Sequence, residues 1–120
     1  MEKSRSYRDL IVWQKSMGLA KQIYTCTQSF PKEEMYGIIS QMRRASTSIP
    51  ANIAEGQARN SPREFRQFLG IAQGSAAELE TFLILSESLG YIPQQILKEL
   101  LTNCEEISRL LAALKKSLQI

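Results

Sequence analysis

Apolar residues recur every three or four positions in four successive segments of the chain, which is the spacing of amphipathic helices. The pattern predicts helices over about residues 9–28, 33–58, 62–89 and 93–118. No stretch of useful length alternates with a period of two, so no strand is predicted. The expected core stripes are Leu10, Trp13, Met17, Ala20, Tyr24 and Thr27; Met35, Ile39, Met42, Ser46, Ile49, Ile53 and Gly56; Phe65, Phe68, Ala72, Ala76, Leu79, Leu83, Ser86 and Leu89; and Leu97, Leu100, Cys104, Ile107, Leu111, Leu114 and Leu118.

Residues at the ends of these segments support the same boundaries. Residues 61–64, Ser-Pro-Arg-Glu, form a capping box with proline at the first helical position. Asp9 is a candidate cap for the first helix, and Gly90 and Pro93 separate the third helix from the fourth. Because the connections are short, neighbouring helices must be antiparallel. The prediction is an all-α, up-down-up-down four-helix bundle formed by a single domain, residues 1–120.

Three residues are unfavourable inside the predicted helices. Pro50 removes a backbone hydrogen bond from the second helix, at a cost of about 3 kcal/mol. Gly70 and Gly74 each weaken the third helix by up to about 1 kcal/mol relative to alanine. A face of small residues allows another helix to approach closely, so Gly70 and Gly74, together with the polar stripe around Asn52 and Glu55, are candidates for a subunit interface, with a solvated helix face as the alternative.

Composition excludes most catalytic sites. The 120 residues include no histidine, so Ser-His and Cys-His pairs and histidine-based metal sites are absent. A carboxylate-only metal site is conceivable, but neighbouring carboxylates such as Glu78 and Glu80, or Glu105 and Glu106, point to different faces. We therefore expect no enzyme activity, catalytic residue, metal or cofactor. No apolar run approaches the roughly 18 residues of a membrane span, and Cys26 and Cys104 form no disulfide framework, which favours the cytoplasm.

Basic residues outnumber acidic residues by 15 to 12, and the excess lies in the N-terminal half of the chain. Arginine side chains bind phosphate oxygens in a bidentate manner. The candidate nucleic-acid-binding residues are Arg43, Arg44, Arg59, Arg63 and Arg66. Two other interpretations stay open at this stage: a solvated helix face with a Glu55–Arg59 pair, and arginines that hold subunits together.

The sequence resembles a known family over most of its length, from about Tyr7 to Leu118. The segments that carry the likeness are Val12-Trp13-Gln14, Phe30-Pro31, Tyr36-Gly37, residues 41–45 (QMRRA), residues 48–56 (SIPANIAEG), residues 61–65 (SPREF), residues 68–75 (FLGIAQGS), residues 78–80 (ELE) and residues 89–91 (LGY). The chain resembles the bacterial four-helix-bundle proteins encoded in intervening sequences of 23S ribosomal RNA genes. It is more distantly similar to the accessory variability determinant of diversity-generating retroelements.

The resemblance implies a homo-oligomeric ring, a homopentamer in relatives, and it implies no defined activity. The leading hypothesis is a non-enzymatic adaptor that binds structured RNA, or RNA with a nucleic-acid-associated protein, through arginine patches repeated around the ring. The alternative is a protein-interaction scaffold whose arginines are structural and do not contact nucleic acid. Neither hypothesis involves a membrane.

Overall fold

Four α-helices run alternately up and down along one long axis. The computed structural model describes residues 6–118. Within that range the helices are α1 (Ile11–Thr27), α2 (Ile38–Ala58), α3 (Pro62–Ser88) and α4 (Gln94–Ser117), and there is no strand. The bundle measures 50 × 23 × 22 Å, with contacts between α1 and α2, α2 and α3, α3 and α4, and α4 and α1. The predicted all-α four-helix bundle is confirmed.

The core lies between the four helices and consists mainly of aliphatic side chains. Most buried hydroxyl groups are satisfied within their own helices: Ser16 donates to the carbonyl of Val12 at 2.6 Å, and Thr27 donates to that of Ile23 at 2.7 Å. Such local bonds remove the cost of burying a hydroxyl group. The buried residues of α2 to α4 largely follow the predicted stripes, including Met42, Ile49, Ile53, Ala72, Ala76, Leu79, Leu83, Leu100, Cys104, Ile107 and Leu111.

The predicted core stripe of α1 is confirmed at Ala20 and Thr27 but otherwise differs in phase by one residue, which is a rotation of about 100°. The core positions are Val12, Ser16, Leu19, Ala20, Ile23 and Thr27. Met17 and Tyr24, expected inside, are 40% and 43% exposed. Helix α1 carries two adjacent apolar stripes, and serine interrupts the deeper one. The aliphatic stripe packs in the core because the larger, partly polar Trp13 and Tyr24 can keep one edge at the surface.

The starts of α1 and α2 also differ from the prediction. Asp9 ends a short 3₁₀ turn (Tyr7–Asp9), and Leu10 is the residue that caps α1. Helix α2 begins at Ile38 because the backbone of Gly37 is not helical (φ −111°, ψ −115°). Residues Lys32–Glu34 form a second 3₁₀ turn. Met35 is therefore outside the helix and 46% exposed rather than in the core.

Sequence signals at the ends of α3 are confirmed in part. The Ser61 hydroxyl accepts a hydrogen bond from the Glu64 amide at 3.2 Å, and Pro62 is the first residue of the helix. The Glu64 carboxylate pairs with Arg59 instead of completing the capping box. Beyond the other end, Gly90 adopts a left-handed conformation (φ +81°) that glycine tolerates without strain. Leu89, expected in the core, is half-exposed.

Helix α3 is long and apolar enough to cross a membrane when judged by length and composition alone. The expectation that no segment approaches a membrane span must be amended for this helix. One side of α3 is nevertheless fully buried in the bundle through Leu69, Ala72, Ala76, Leu79 and Leu83. Burial of this side in the bundle accounts for the apolar composition of α3.

Helices α2 and α3 approach each other closely at Gly56. A β-carbon at this position would lie 2.7 Å from Cβ of Phe68 and 2.9 Å from Cδ1 of Phe65. These separations are shorter than carbon atoms tolerate. Gly56 is buried, and the two phenylalanine rings cover it while remaining half-buried themselves. This glycine, rather than Gly70 or Gly74, permits the close contact within the chain.

We expect Gly56→Ala to destabilise the protein by about 1–3 kcal/mol, because overpacking outweighs the gain of up to about 1 kcal/mol in helix propensity. Gly18→Ala is the matched control, since a β-carbon there meets nothing within 4 Å. The control should leave stability unchanged or raise it by up to about 1 kcal/mol. Urea unfolding followed by circular dichroism measures both variants. Equal stability of the two would contradict the proposed clash.

Candidate functional site

Arg43 is held against α1 by three interactions. Its Nε donates to Thr27 Oγ1 at 2.9 Å, and its Nη2 donates to the Tyr24 carbonyl at 3.4 Å. The guanidinium carbon also lies 4.6 Å from the centre of the Tyr24 ring. A cation over an aromatic face contributes about 0.5–1 kcal/mol at an exposed site. Arg43 thus joins α1 to α2 through a hydroxyl, a carbonyl and an aromatic ring rather than through a carboxylate.

Arg59 also makes contacts within the chain. It pairs with Glu55 at 3.1 Å and with Glu64 at 3.3 Å, and its guanidinium lies 5.0 Å from the centre of the Phe68 ring. The hydrogen bond with Glu55, the largest contribution, raises the pKa of Arg59 above its usual value. Glu55, a candidate interface residue, is therefore engaged with Arg59. The two carboxylates neutralise much of the charge that Arg59 could offer to a phosphate.

The other three candidate arginines make no ion pair with any residue between 6 and 118. Arg44 and Arg63 are exposed, and Arg66 is half-buried. The Nε atom of Arg66 is buried and has no hydrogen-bond partner in the same part of the chain. Arg44 is fifteen residues from Arg59 on α2, or about 22 Å along the helix axis. The five candidates therefore form two separate groups, Arg43 with Arg44 and Arg59 with Arg63 and Arg66, rather than one continuous patch.

Folding separates charge between the two ends of the bundle. The basic end, which we define as residues 6–14, 53–70 and 109–118, contains seven basic and three acidic side chains. The opposite, acidic end, residues 28–40 and 86–99, contains two basic and four acidic side chains. Charge counted over the two halves of the chain does not show this separation. The antiparallel topology brings the last turns of α4 beside the first turns of α3.

Four basic residues of the basic end were not among the candidates from the sequence: Arg8, Arg109, Lys115 and Lys116. The Lys115 ammonium donates to Gln73 Oε1 at 3.3 Å and lies 3.6 Å from the position of a β-carbon on Gly70. Gly70, a candidate interface residue, therefore lies beside Lys115 of the same chain, but an alanine there would make only an ordinary van der Waals contact with it. Arg66 is one helical turn before Gly70, so Arg66 and Lys115 occupy neighbouring turns at the α3–α4 contact. The sequence did offer a signal for this contact, because α4 carries lysines near its C-terminus and runs antiparallel to α3.

The remaining candidate interface residues lie on the outer side of α2 and α3. Asn52 donates to the Ser48 carbonyl at 2.8 Å and to the Ser48 hydroxyl at 2.9 Å, and Ser48 shares a 2.8 Å hydrogen bond with Ser75. These groups border a shallow polar cleft of about 360 Å³ that Arg44 and Glu78 also line. Gly74 is exposed, and a β-carbon there would meet nothing within 4 Å. Packing within the chain does not account for a glycine at position 74.

An apolar groove between α1 and α2 was not predicted. It encloses about 670 Å³, and the misassigned stripe of α1 forms one wall, while Pro50, Ala51 and Ala54 of α2 form the other. Pro50 lies inside an uninterrupted helix and is buried. Lys21 lines the groove, and Arg43 stacks on its Tyr24, so its rim is basic. The second apolar stripe of α1 was the feature of the sequence from which this groove could have been predicted.

The carboxylates and cysteines of α3 and α4 do not assemble a reactive site. Within residues 6–118, no three side chains of histidine, cysteine, aspartate or glutamate are arranged to hold a metal ion. Burial, the larger cause, and the negative charge of Glu105, the smaller one, both raise the pKa of the Glu80 carboxyl. Burial, reinforced by the charges of Glu80 and Glu105, raises the pKa of the Cys104 thiol to about 12. Cys104 is therefore protonated at neutral pH, and Cys26 is less acidic than a free thiol because burial outweighs the effect of Arg43.

Comparison with known proteins identifies the family. Residues 8–113 match the family described as 23S rRNA-intervening sequence protein. The chain belongs to this family. A crystal structure from the S23 ribosomal protein family, a protein of unknown function from Bacteroides thetaiotaomicron, superimposes with a TM-score of 0.82 at 29% sequence identity. The match covers 88% of this chain and 99% of the other. No protein of curated function is significantly similar.

In this member of the 23S rRNA-intervening sequence family, we expect Arg43→Ala to lower stability by about 1–2 kcal/mol, because a charge-assisted hydrogen bond and the stacking on Tyr24 are lost together. Arg44→Ala, a neighbour that forms no ion pair with residues 6–118, should change stability by less than about 0.5 kcal/mol. Thermal unfolding of the two variants in one buffer measures the difference. If Arg44→Ala proved as costly as Arg43→Ala, the assignment of separate roles would be wrong.

Proposed function

We propose that the protein is a non-enzymatic, self-assembling adaptor of the cytoplasm that binds structured RNA through the basic end of its bundle. The observation that carries the proposal is the collection of seven basic side chains against three acidic ones at that end. Phosphate oxygens supply most of the affinity of proteins for nucleic acids, and clustered lysine and arginine side chains are the groups that bind them. The family description, which names an RNA gene, supports RNA as the polyanion.

The residues proposed to contact phosphate are Arg63, Arg66, Lys115 and Lys116. Arg63 and Arg66 make no ion pair with residues 6–118, and the Arg66 Nε has no hydrogen-bond acceptor there. Lys115 uses only a weak 3.3 Å contact to a neutral amide. A phosphate at this end would therefore replace water rather than break an existing ion pair. Arg44 lies outside this group, and Arg43 and Arg59 are proposed to act as structural residues.

Self-assembly is proposed from two apolar surfaces on different sides of the bundle. One is the α1–α2 groove with its basic rim, Lys21 and Arg43. The other is the outer face of α3, where Ile71, Ile84 and Leu85 are exposed among small residues and near the exposed Glu78. Two different surfaces that fit each other produce a ring when the rotation closes. We propose a closed homo-oligomer, with five subunits as in the relatives that the sequence resembles.

A second candidate function is a protein-interaction scaffold that does not bind nucleic acid. The intramolecular contacts of Arg43 and Arg59 favour it, because two of the five candidate arginines are already occupied. In the scaffold hypothesis, the basic end serves solubility or a protein partner. Binding to RNA at low salt separates the two candidates directly.

We expect RNA binding to weaken steeply as salt rises, because each neutralised phosphate releases a counterion. Arg63→Gln, Arg66→Gln, Lys115→Gln and Lys116→Gln should each flatten the logarithmic slope by about 0.7–0.9. The matched control is the removal of the two lysines of the acidic end, Lys32→Gln with Lys98→Gln, which should leave the slope unchanged. Fluorescence anisotropy with a ribosomal RNA hairpin and an unrelated hairpin measures the slopes. An assembled protein that ignores both hairpins at low salt would favour the scaffold.

We expect the native protein to have the mass of several 13.6 kDa chains in solution. A carboxylate placed in either apolar surface, by Met17→Glu or by Leu85→Glu, should reduce the mass to that of one chain, because an unpaired charge would be buried on assembly. Thr102→Glu, an exposed position on α4, should leave the mass unchanged. Light scattering after size exclusion gives absolute masses. A monomeric wild-type protein would refute the assembly and leave the RNA proposal intact.

A further inference from the structure

The acidic end of the bundle presents an aromatic side chain that has no partner within the described chain. Tyr36 is 97% exposed, and the adjacent Met35 is 46% exposed. Leu89, at the end of α3, is half-exposed at the same end of the molecule. Tyrosine and methionine are enriched in protein interfaces, and tyrosine is among the residues that dominate binding energy.

The loop that carries Tyr36 is held rigidly. Phe30 is buried and packs on Tyr91, with ring centres 5.2 Å apart, so the α1–α2 loop is joined to the α3–α4 loop. The Tyr91 hydroxyl donates to Glu34 Oε2 at 2.8 Å, and the other oxygen of Glu34 accepts from the Ile38 amide at 3.4 Å. Glu34 thereby fixes both the loop and the first turn of α2.

Gly37 completes this arrangement. Its backbone conformation (φ −111°, ψ −115°) turns the chain into α2, and a β-carbon there would lie 2.7 Å from the Glu34 carboxylate. Tyr36 is therefore displayed between a fixed 3₁₀ turn and a fixed helix start. Because the backbone on both sides of Tyr36 is fixed before binding, less entropy is lost when a partner buries this residue.

The charge around Tyr36 indicates the chemistry of that partner. Residues 28–40 and 86–99 contain four carboxylates and two ammonium groups, and Glu33 is exposed beside Met35 and Tyr36. A negative field repels phosphates, which excludes stacking of RNA bases on Tyr36 as the favoured use of this surface. It attracts a basic surface and speeds the encounter with it.

We propose that Met35 and Tyr36, at the end of the bundle where carboxylates outnumber ammonium groups by four to two, form a docking site for a basic segment of another protein, which would receive the Tyr36 ring in an apolar pocket. The site lies at the opposite end of a 50 Å bundle from the basic end, so it can be occupied at the same time as the RNA surface. The inference does not require RNA binding, and its test uses no RNA-dependent readout for success.

A displayed library of random short peptides is the probe. The full-length wild-type protein selects peptides, and Tyr36→Ala removes those that bind elsewhere. We expect the surviving peptides to be basic and to contain a large apolar residue. Synthetic copies should bind the wild type about tenfold or more tightly than Tyr36→Ala, as for a central interface residue. Their affinity should fall with salt and with the double substitution Glu33→Gln and Glu87→Gln.

Ile11→Ala is the matched control, because it removes a 58% exposed apolar side chain at the opposite end of the bundle and should leave peptide binding unchanged. The proposal is overturned if no peptide depends on Tyr36, or if the peptides that do are neutral or acidic. A fall in the assembled mass of Tyr36→Ala would make a second copy of the chain the occupant. Loss of hairpin binding in the same variant would make RNA the occupant, and either result also overturns the proposal.

Discussion

The close contact of α2 with α3 at Gly56 is the constraint on which the rest of the bundle depends. The turn between these helices is short, so the absence of a side chain at Gly56 lets them pack together immediately after it. The phenylalanine rings that cover the glycine then support Arg59, whose guanidinium lies over Phe68. Two helical turns further on, the same antiparallel register brings Ser48 to Ser75. Packing at Gly56 thus determines how the polar side chains of α2 are aligned with those of α3.

Much of the fold could be predicted because the signals were local. The spacing of Leu100, Cys104, Ile107 and Leu111 defined the buried side of α4, and the Ser61 cap and Gly90 marked the limits of α3. The phase of α1 could not be predicted in this way. A helix with two adjacent apolar stripes has a broad hydrophobic face, and its neighbours decide which stripe is buried. Met35 was wrongly placed inside α2. That helix begins only at Ile38, because the Glu34 side chain accepts a hydrogen bond from the Ile38 amide and the Gly37 backbone is not helical.

The candidate site could likewise be predicted only in part from the sequence. Arginine-rich segments of α2 and α3 were evident in the sequence, but their partners were not. Arg43 reaches Thr27 across sixteen residues, and Lys115 reaches Gln73 across forty-two. Such contacts follow from the antiparallel arrangement and not from residue spacing. For the same reason, charge counted along the chain concealed the separation of charge between the two ends of the folded bundle.

The single tryptophan of the chain gives the α1–α2 groove an optical property. Trp13 lines this groove beside Tyr7, whose ring centre is 5.4 Å away, and it is half-buried. Because the chain has no other indole, all of its tryptophan fluorescence arises from this one wall of the groove. Emission wavelength and quenching by small solutes therefore report whether the groove is covered, without any attached dye. The acidic end of the molecule contains no indole, so binding there leaves this signal a local measure of the groove.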